Sequence, residues 1–187
     1  MGFIIGMIII AVLALLVIWI IAAQRRLVAV DELCGNALSQ IGIQQQSRWD
    51  ALTALAELTK SYSEHEYQTL QNVIAKRQPI TAQSNPHQVD EQEDILSQMM
   101  GRIAMVAEQY PDLKAQGVYS NTMSEVNRYE QQVRMSRMTY NDTVTKYNRI
   151  IRQFPSSVVA GQLNFAVREY LQMDSAKRDM PSMVIES

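Results

Sequence analysis

The strongest constraint on this chain is an uninterrupted apolar stretch from Phe3 to Ala23, in which no side chain is charged or strongly polar. At about 1.5 Å per residue, a helix of this length spans roughly 30 Å, the thickness of the hydrocarbon core of a bilayer. Lipid offers the backbone no hydrogen-bond partners, so a single spanning segment must be helical. Trp19 lies near the end of the stretch, as aromatic side chains at membrane interfaces do. We therefore predict a transmembrane anchor helix in residues 1–24, with the lipid bilayer as its partner.

A cleaved signal peptide and a buried core helix both fit the apolar stretch less well than an anchor does. A signal peptide has a basic start and an apolar region of about 7–15 residues. Here no Lys or Arg precedes the stretch, which is also longer, and only Ala22 and Ala23 resemble a cleavage site. A core helix of a soluble protein keeps one polar face, and this stretch offers none.

The charges on either side of the apolar stretch predict its orientation. Only Met1 and Gly2 precede it, while Arg25 and Arg26 follow it directly. Basic residues beside a span stay in the cytoplasm, so we expect a single-pass protein of the bacterial inner membrane with its N-terminus outside. The lone cysteine, Cys34, agrees with a cytoplasmic domain, because exported domains often carry paired cysteines.

The rest of the chain is long enough to bury one hydrophobic core. We divide it into a bundle domain over residues 25–173 and a polar tail over residues 174–187. The whole chain has a formal net charge of −2, and its Lys and Arg residues form no long run. A nucleic-acid surface needs clustered positive charge, so we expect no nucleic-acid partner.

A seven-residue repeat marks one long helix. The positions of the repeat are all apolar or aromatic: Tyr119, Val126, Val133, Tyr140, Tyr147 and Phe154. Such a repeat predicts one long helix with a packed seam, as in a helical bundle or coiled coil. Pro155 ends this helix, because a residue that precedes a proline is disfavoured in the helical conformation.

Shorter elements are predicted on both sides of the long helix. Apolar residues from Leu96 to Tyr110 follow spacings of three and four, which indicates a helix that Pro111 closes. Residues 78–90 contain two prolines among polar residues and predict a loop. A short amphipathic helix near the C-terminus is predicted by the spacing of Leu163, Val167 and Tyr170.

The segment over residues 25–77 has a helical but less regular pattern. The polar run that follows Gly42, from Gln44 to Arg48, leaves open whether the first helix continues straight or kinks. Ser63 and Glu66 have the spacing of a capping box, which indicates a helix start there. No strand alternation is evident, so the predicted fold is all-α: an N-terminal transmembrane helix followed by an elongated antiparallel bundle of about four helices.

The chain resembles the LemA family in motifs that extend over most of its length. The C-terminal motifs are Tyr-Asn-Asp-Thr-Val-Thr-Lys-Tyr-Asn at 140–148 and Phe-Pro-Ser-Ser-Val-Val-Ala-Gly at 154–161. The upstream motifs are Asn-Ala-Leu-Ser-Gln-Ile at 36–41, Lys-Ser-Tyr-Ser-Glu-His-Glu at 60–66 and Tyr-Pro-Asp-Leu-Lys-Ala at 110–115. The resemblance implies a membrane-anchored antiparallel four-helix bundle with its N-terminus outside and with no established enzymatic activity.

The chain departs from the family pattern at three positions. Leu38, Gly42 and Ala54 stand where the family usually has Trp, Asp and Pro. The missing proline favours a straighter first helix, because proline interrupts helical hydrogen bonding.

The most distinctive local feature is a pair of Tyr-Asn steps, Tyr140-Asn141 and Tyr147-Asn148. Both tyrosines lie on the seam, so each asparagine lies at its edge. The amides can hydrogen-bond a neighbouring helix or loop and fix its register, as buried polar residues do in coiled coils. The alternative is a surface for a partner or ligand on the same face. These four residues are the predicted interaction or register-fixing site.

Nothing in the sequence predicts catalysis, a cofactor or a metal. Glu64, His65 and Glu66 are adjacent and point in different directions on a helix, and Thr69 stands where a zinc helix would carry a second histidine. Cys34 lies in a helical stripe, where a small buried apolar role is the default. We therefore expect that the protein is not an enzyme and that it has no catalytic, cofactor-binding or metal-binding residues.

Two functions fit an anchored helical bundle of this kind. One is a membrane-anchored structural or interaction protein of the LemA type, which self-associates or scaffolds at the cytoplasmic face of the membrane. The other is an accessory or adaptor subunit that binds another membrane protein in signalling or quality control. In both, we expect protein partners or a homo-oligomer.

Overall fold

The computed structural model describes residues 1–172, which form six helices and no strand. The helices are α1 Gly2–Thr59, α2 Glu64–Ile74, α3 Pro86–Gln109, α4 Pro111–Ala115, α5 Gly117–Arg152 and α6 Ser156–Gln162. The predicted all-α fold, with a long apolar N-terminal helix that leads into a helical bundle, is confirmed. The predicted polar tail, residues 174–187, lies outside the described residues.

Helix α1 is continuous, but its N-terminal part is exposed and its C-terminal part packs in the bundle. In its N-terminal part, side chains such as Leu13 and Leu15 are 56% and 67% exposed, because no other part of residues 1–172 packs against them. It is long and apolar enough there to cross a membrane. From Leu27 onward the same helix contributes buried side chains to the bundle. A continuous helix therefore joins the apolar segment to the bundle.

The polar run of α1 does not interrupt the helix. Arg48 and Gln45 are almost completely buried, and Arg48 forms an ion pair with Glu93 of α3. The same guanidinium lies 3.8 Å from Glu130 of α5. The Gln45 amide donates to the carbonyl oxygen of Val89 at 3.3 Å. The run is thus a polar contact among three helices, and buried charge requires such partners.

The break near Ser63 is confirmed. Helix α1 ends at Thr59, and the Ser63 hydroxyl accepts a hydrogen bond from the backbone N–H of Glu66 at 3.3 Å. A serine in this position satisfies one of the free N–H groups at a helix start. A turn over residues 60–62 redirects the chain so that α2 packs back on α1.

Helix α5 runs antiparallel to α1 and forms the main contact of the bundle. Its predicted seam is buried from Tyr119 to Tyr147, but the prediction is wrong for Phe154, which is 78% exposed. The helix ends at Arg152. Pro155 disfavours the helical conformation of the residue before it, so the seven-residue register stops before Phe154.

The predicted loop over residues 78–90 is too long at its C-terminal end. Helix α3 begins at Pro86, because Asn85 and Gln88 form a complete capping box. Proline is favoured at the first helical position, so Pro86 starts a helix instead of preventing one. The remaining loop passes so close to α1 that a Cβ atom at Gly42 would lie 2.2 Å from the carbonyl oxygen of Ile80. Gly42 therefore makes room for the loop.

The predicted amphipathic helix over Leu163, Val167 and Tyr170 is wrong. Helix α6 ends at Gln162, and Asn164 follows in a left-handed conformation with φ of 57°. Residues 165–172, which we call the strap, form no helix and lie along α5. Helical spacing indicated a helix there, but contacts with α5 hold the backbone in another conformation.

The bundle contains two hydrophobic clusters, one at each end. The proximal core, next to the apolar segment of α1, includes side chains of α1, α5, α6 and the strap, and Val89 of α3. The distal core includes side chains of α1, α2, α3, α4 and α5. The contact of Arg48 with Glu93 and Glu130 lies between the two cores along α1.

Candidate functional site

The two predicted asparagines each bind the backbone of one strap residue. The Asn148 amide donates to the carbonyl oxygen of Arg168 at 2.9 Å, and its oxygen accepts from the Arg168 N–H at 3.0 Å. Asn141 makes the same pair of bonds with Leu171, at 3.1 and 2.9 Å. An asparagine side chain has both a donor and an acceptor, so it can replace the strand partner that these backbone groups lack.

The two predicted tyrosines bind the same segment. The Tyr147 hydroxyl donates to the carbonyl oxygen of Ala166 at 2.9 Å, and the Tyr140 hydroxyl donates to that of Glu169 at 3.1 Å. Both rings are buried in the proximal core. We call these two tyrosines and two asparagines of α5 the clamp: Tyr140, Asn141, Tyr147 and Asn148.

The distance between the two clamp asparagines on α5 is about equal to the distance between the strap residues that they bind. Seven residues of helix advance by about 10.5 Å, and three residues of extended chain advance by roughly 10 Å. Two asparagines seven residues apart on α5 can therefore bind two strap residues that are three residues apart. Asn148 binds Arg168, and Asn141 binds Leu171. The strap runs antiparallel to α5, because the later helix positions bind the earlier strap positions.

The strap also has two side-chain anchors. Leu171 is 2% exposed and belongs to the proximal core. The Arg168 Nε donates to the Asp31 carboxylate of α1 at 2.8 Å, and its guanidinium lies 5.8 Å from the centre of the Tyr147 ring. The strap therefore connects α5 to α1 as well as covering the core between them.

A third contact joins the end of the strap to α3. The Asp90 carboxylate accepts from Arg137 of α5 at 2.6 Å and from the backbone N–H of Gln172 at 3.3 Å. Arg137 also donates to the carbonyl oxygen of Gln172. Asp90, Arg137, Asp31 and Arg168 were not among the predicted site residues. Phe165, Arg168 and Leu171 recur every three residues in the sequence, but only the fold shows that this spacing matches the clamp on α5.

Burial sets the ionisation of the groups around the clamp. It raises the pKa of the Tyr140 and Tyr147 hydroxyls and that of the Cys34 thiol. The hydrogen bond to Asp31 raises the pKa of Arg168, against the opposite effect of its burial. At neutral pH both tyrosines are therefore neutral donors, and Cys34 is a protonated thiol rather than a nucleophilic thiolate.

The other residues whose side chains could act in catalysis or bind a metal do not lie close together. Glu64, His65 and Glu66 lie in the first turn of α2, and the closest basic partner of Glu66 is Arg102, at 3.8 Å. Within residues 1–172, no group of three or more His, Cys, Asp or Glu side chains could hold a metal ion. The arrangement that the structure does present is a backbone-binding clamp occupied by the chain's own strap.

The fold defines the class of the protein as a helical bundle that carries an apolar N-terminal helix compatible with a single membrane span. The model of the LemA family matches residues 37–184, so the chain belongs to the LemA family. The chain is also similar to the Protein LemA of Metamycoplasma hominis, with 26% identity over 133 residues. That alignment covers 69% of this chain and 59% of the relative, so it spans less than two thirds of the relative's length.

Proposed function

We propose that this protein is a non-catalytic, membrane-anchored structural protein that self-associates at the cytoplasmic face of the membrane and organises neighbouring copies there. The observation that carries the proposal is the continuity of α1, which extends without a break from the exposed apolar segment through both cores. A rigid helix transmits position and tilt from the bilayer to the bundle. Anchored copies therefore present the same side faces to one another.

The proposed orientation follows from charge. Arg25 and Arg26 are exposed immediately after the apolar segment. Basic residues beside a span stay in the cytoplasm, so these two arginines support an N-terminus outside and a bundle in the cytoplasm of a bacterial cell with an inner membrane. The test is labelling of an added cysteine at Met105, which is exposed on α3, with a membrane-impermeant maleimide. Labelling in inverted vesicles but not in intact spheroplasts supports the orientation, and the reverse pattern contradicts it.

An exposed methionine pair on α5 is the lateral contact that we propose. Met135 and Met138 are 69% and 56% exposed and lie one turn apart. Methionine side chains adapt to the shape of a partner because they are flexible and polarisable. Both methionines lie on α5, the long helix that packs against α1. They are therefore on the side of an anchored protein.

The test is extraction of the full-length protein in a gentle detergent, followed by size exclusion with light scattering and mass spectrometry. We expect an assembly that contains only this chain. The double change Met135→Glu with Met138→Glu should dissociate this assembly. Met105→Glu on α3, where the methionine is 56% exposed, is the matched control and should leave the assembly intact. A monomer that carries a reproducible second protein would overturn self-association and favour the adaptor function.

A further inference from the structure

The corner between α5 and α6 lies beside the end of the apolar segment of α1. A shallow cleft joins the two regions, and its lining includes Trp19, Ala23 and Arg26 of α1 with Ile150 and Phe154 at the corner. Ala23 and Ile150 also pack against the proximal core, so the corner is held in this place by buried contacts. If α1 spans the bilayer to Ala23, the corner lies at the level of the membrane interface.

The outer side of this corner is apolar. Phe154 is 78% exposed, and Val158, in the following helix, is 56% exposed. The chain buries neighbouring residues such as Val159 and Ala160 but leaves these two side chains uncovered. A phenyl ring at the level of Trp19 has a suitable environment in a bilayer, where aromatic side chains concentrate at the boundary between headgroups and acyl chains.

The charges around the corner suit a membrane surface. Arg25 and Arg26 follow the apolar segment, and Arg149 and Arg152 lie in the last turn of α5. All four are exposed, and within the described part of the chain none forms a salt bridge. Exposed arginines close to a bilayer are attracted by anionic headgroups, and their stems can lie along apolar surface.

We infer that the α5–α6 corner is a second membrane contact, in which Phe154 and Val158 insert into the headgroup–acyl boundary of the leaflet beside the bundle. The inference rests on the proposed transmembrane anchor and adds a second point of attachment to it. A contact beside the span fixes the rotation of the bundle about the axis of α1, which a single span leaves free.

The test uses spin labels on the full-length protein. Single cysteines replace Phe154 or Val158 in a Cys34→Ala background, and one protein copy is reconstituted per nanodisc of phosphatidylcholine and phosphatidylglycerol. Accessibility to oxygen, which partitions into lipid, is compared with accessibility to a water-soluble nickel chelate. Met135→Cys is the matched exposed control, about 28 Å farther along α5, and Leu13→Cys reports on the span.

We expect the labels at Phe154 and Val158 to give values between those at Leu13 and Met135, with oxygen accessibility above nickel accessibility. The label at Met135 should show the opposite order. If Leu13 is in lipid while Phe154 matches Met135, the second contact is overturned and the anchor stands. If Leu13 itself is accessible to nickel, the anchor fails, and with it the reason for a membrane at the corner. One copy per disc excludes shielding by a neighbouring protein.

Discussion

The two ends of the bundle are built in different ways. At the distal end, α2, α3 and α4 cover the pair of α1 and α5, and the core contains side chains from helices alone. At the proximal end, α1 and α5 supply most of the core, α3 adds Val89 from its first turn, and α6 and the strap complete the cover. Two helices leave one side of a core open to water. A non-helical strap can close it only if other groups bind its backbone, and the clamp supplies them.

The first test of the difference between the two ends is to disrupt the polar contact between them. Glu93→Gln removes the main counter-charge of Arg48, which is 1% exposed, and leaves Glu130 at 3.8 Å. We expect the free energy of unfolding to fall by about 3 kcal/mol, because an uncompensated buried charge is costly. Urea unfolding of the protein in mild detergent measures it. Glu91→Gln, at an exposed position of the same helix, should change it by less than about 0.5 kcal/mol.

The second is to remove the apolar anchor of the strap. Leu171→Ala creates a cavity in the proximal core, where the side chain is 2% exposed. We expect a loss of about 2–3 kcal/mol in the free energy of unfolding, at the lower end for buried leucines because a strap can relax more than a helix. The matched change Val167→Ala, at a half-exposed strap position, should have little effect. Equal effects of the two changes would show that the strap does not contribute to the core.

The third is to remove one clamp asparagine. Asn148→Ala leaves the N–H and the carbonyl of Arg168 without their partners, and we expect a cost of roughly 1–3 kcal/mol. Hydrogen exchange should show faster exchange at the Arg168 amide, while the distal amides of α3 keep their protection. Asn127→Ala, at an exposed position of α5, is the control. Unchanged exchange at Arg168 would contradict the clamp as the element that holds the strap.

The smallest effect concerns pH. Burial raises the pKa of Tyr140 and Tyr147 above its ordinary value in the folded protein. A raised folded-state pKa means that the corresponding stabilisation is complete below the unfolded value, near pH 10, and is lost as pH rises through the folded value. We therefore expect the free energy of unfolding to decline from about pH 10 upward. The double change Tyr140→Phe with Tyr147→Phe should flatten that decline, and an unaltered slope would contradict the assignment to these tyrosines.

Local pattern was sufficient for much of the fold. The apolar stretch, the seam of α5 from Tyr119 to Tyr147 and the helix start at Ser63 were all legible from residue spacing. The Tyr-Asn steps were legible as well, because two polar pairs repeat in step with a helical seam. Helical periodicity is a property of neighbouring residues, so it is present in the sequence before any tertiary contact forms.

Other features depended on contacts between distant parts of the chain. The strap has the spacing of an amphipathic helix, yet bonds from Asn141 and Asn148 hold it along α5. Arg48 lies in a polar run that suggests a kink, yet Glu93, far away in sequence, makes its burial tolerable. Phe154 continues the seam in sequence and is exposed in the structure.

Residue spacing alone thus predicted the long helices and the apolar face of α5 from Tyr119 to Tyr147, because these follow from backbone geometry and neighbouring side chains. Contacts between distant residues decided the conformation of the strap, the continuity of α1 through its polar run and the exposure of the α5–α6 corner. The physical reason is that a buried charge or an unpaired backbone group is stable only beside its partner. Those partners lie far along the chain, as with Asp31 and Arg168.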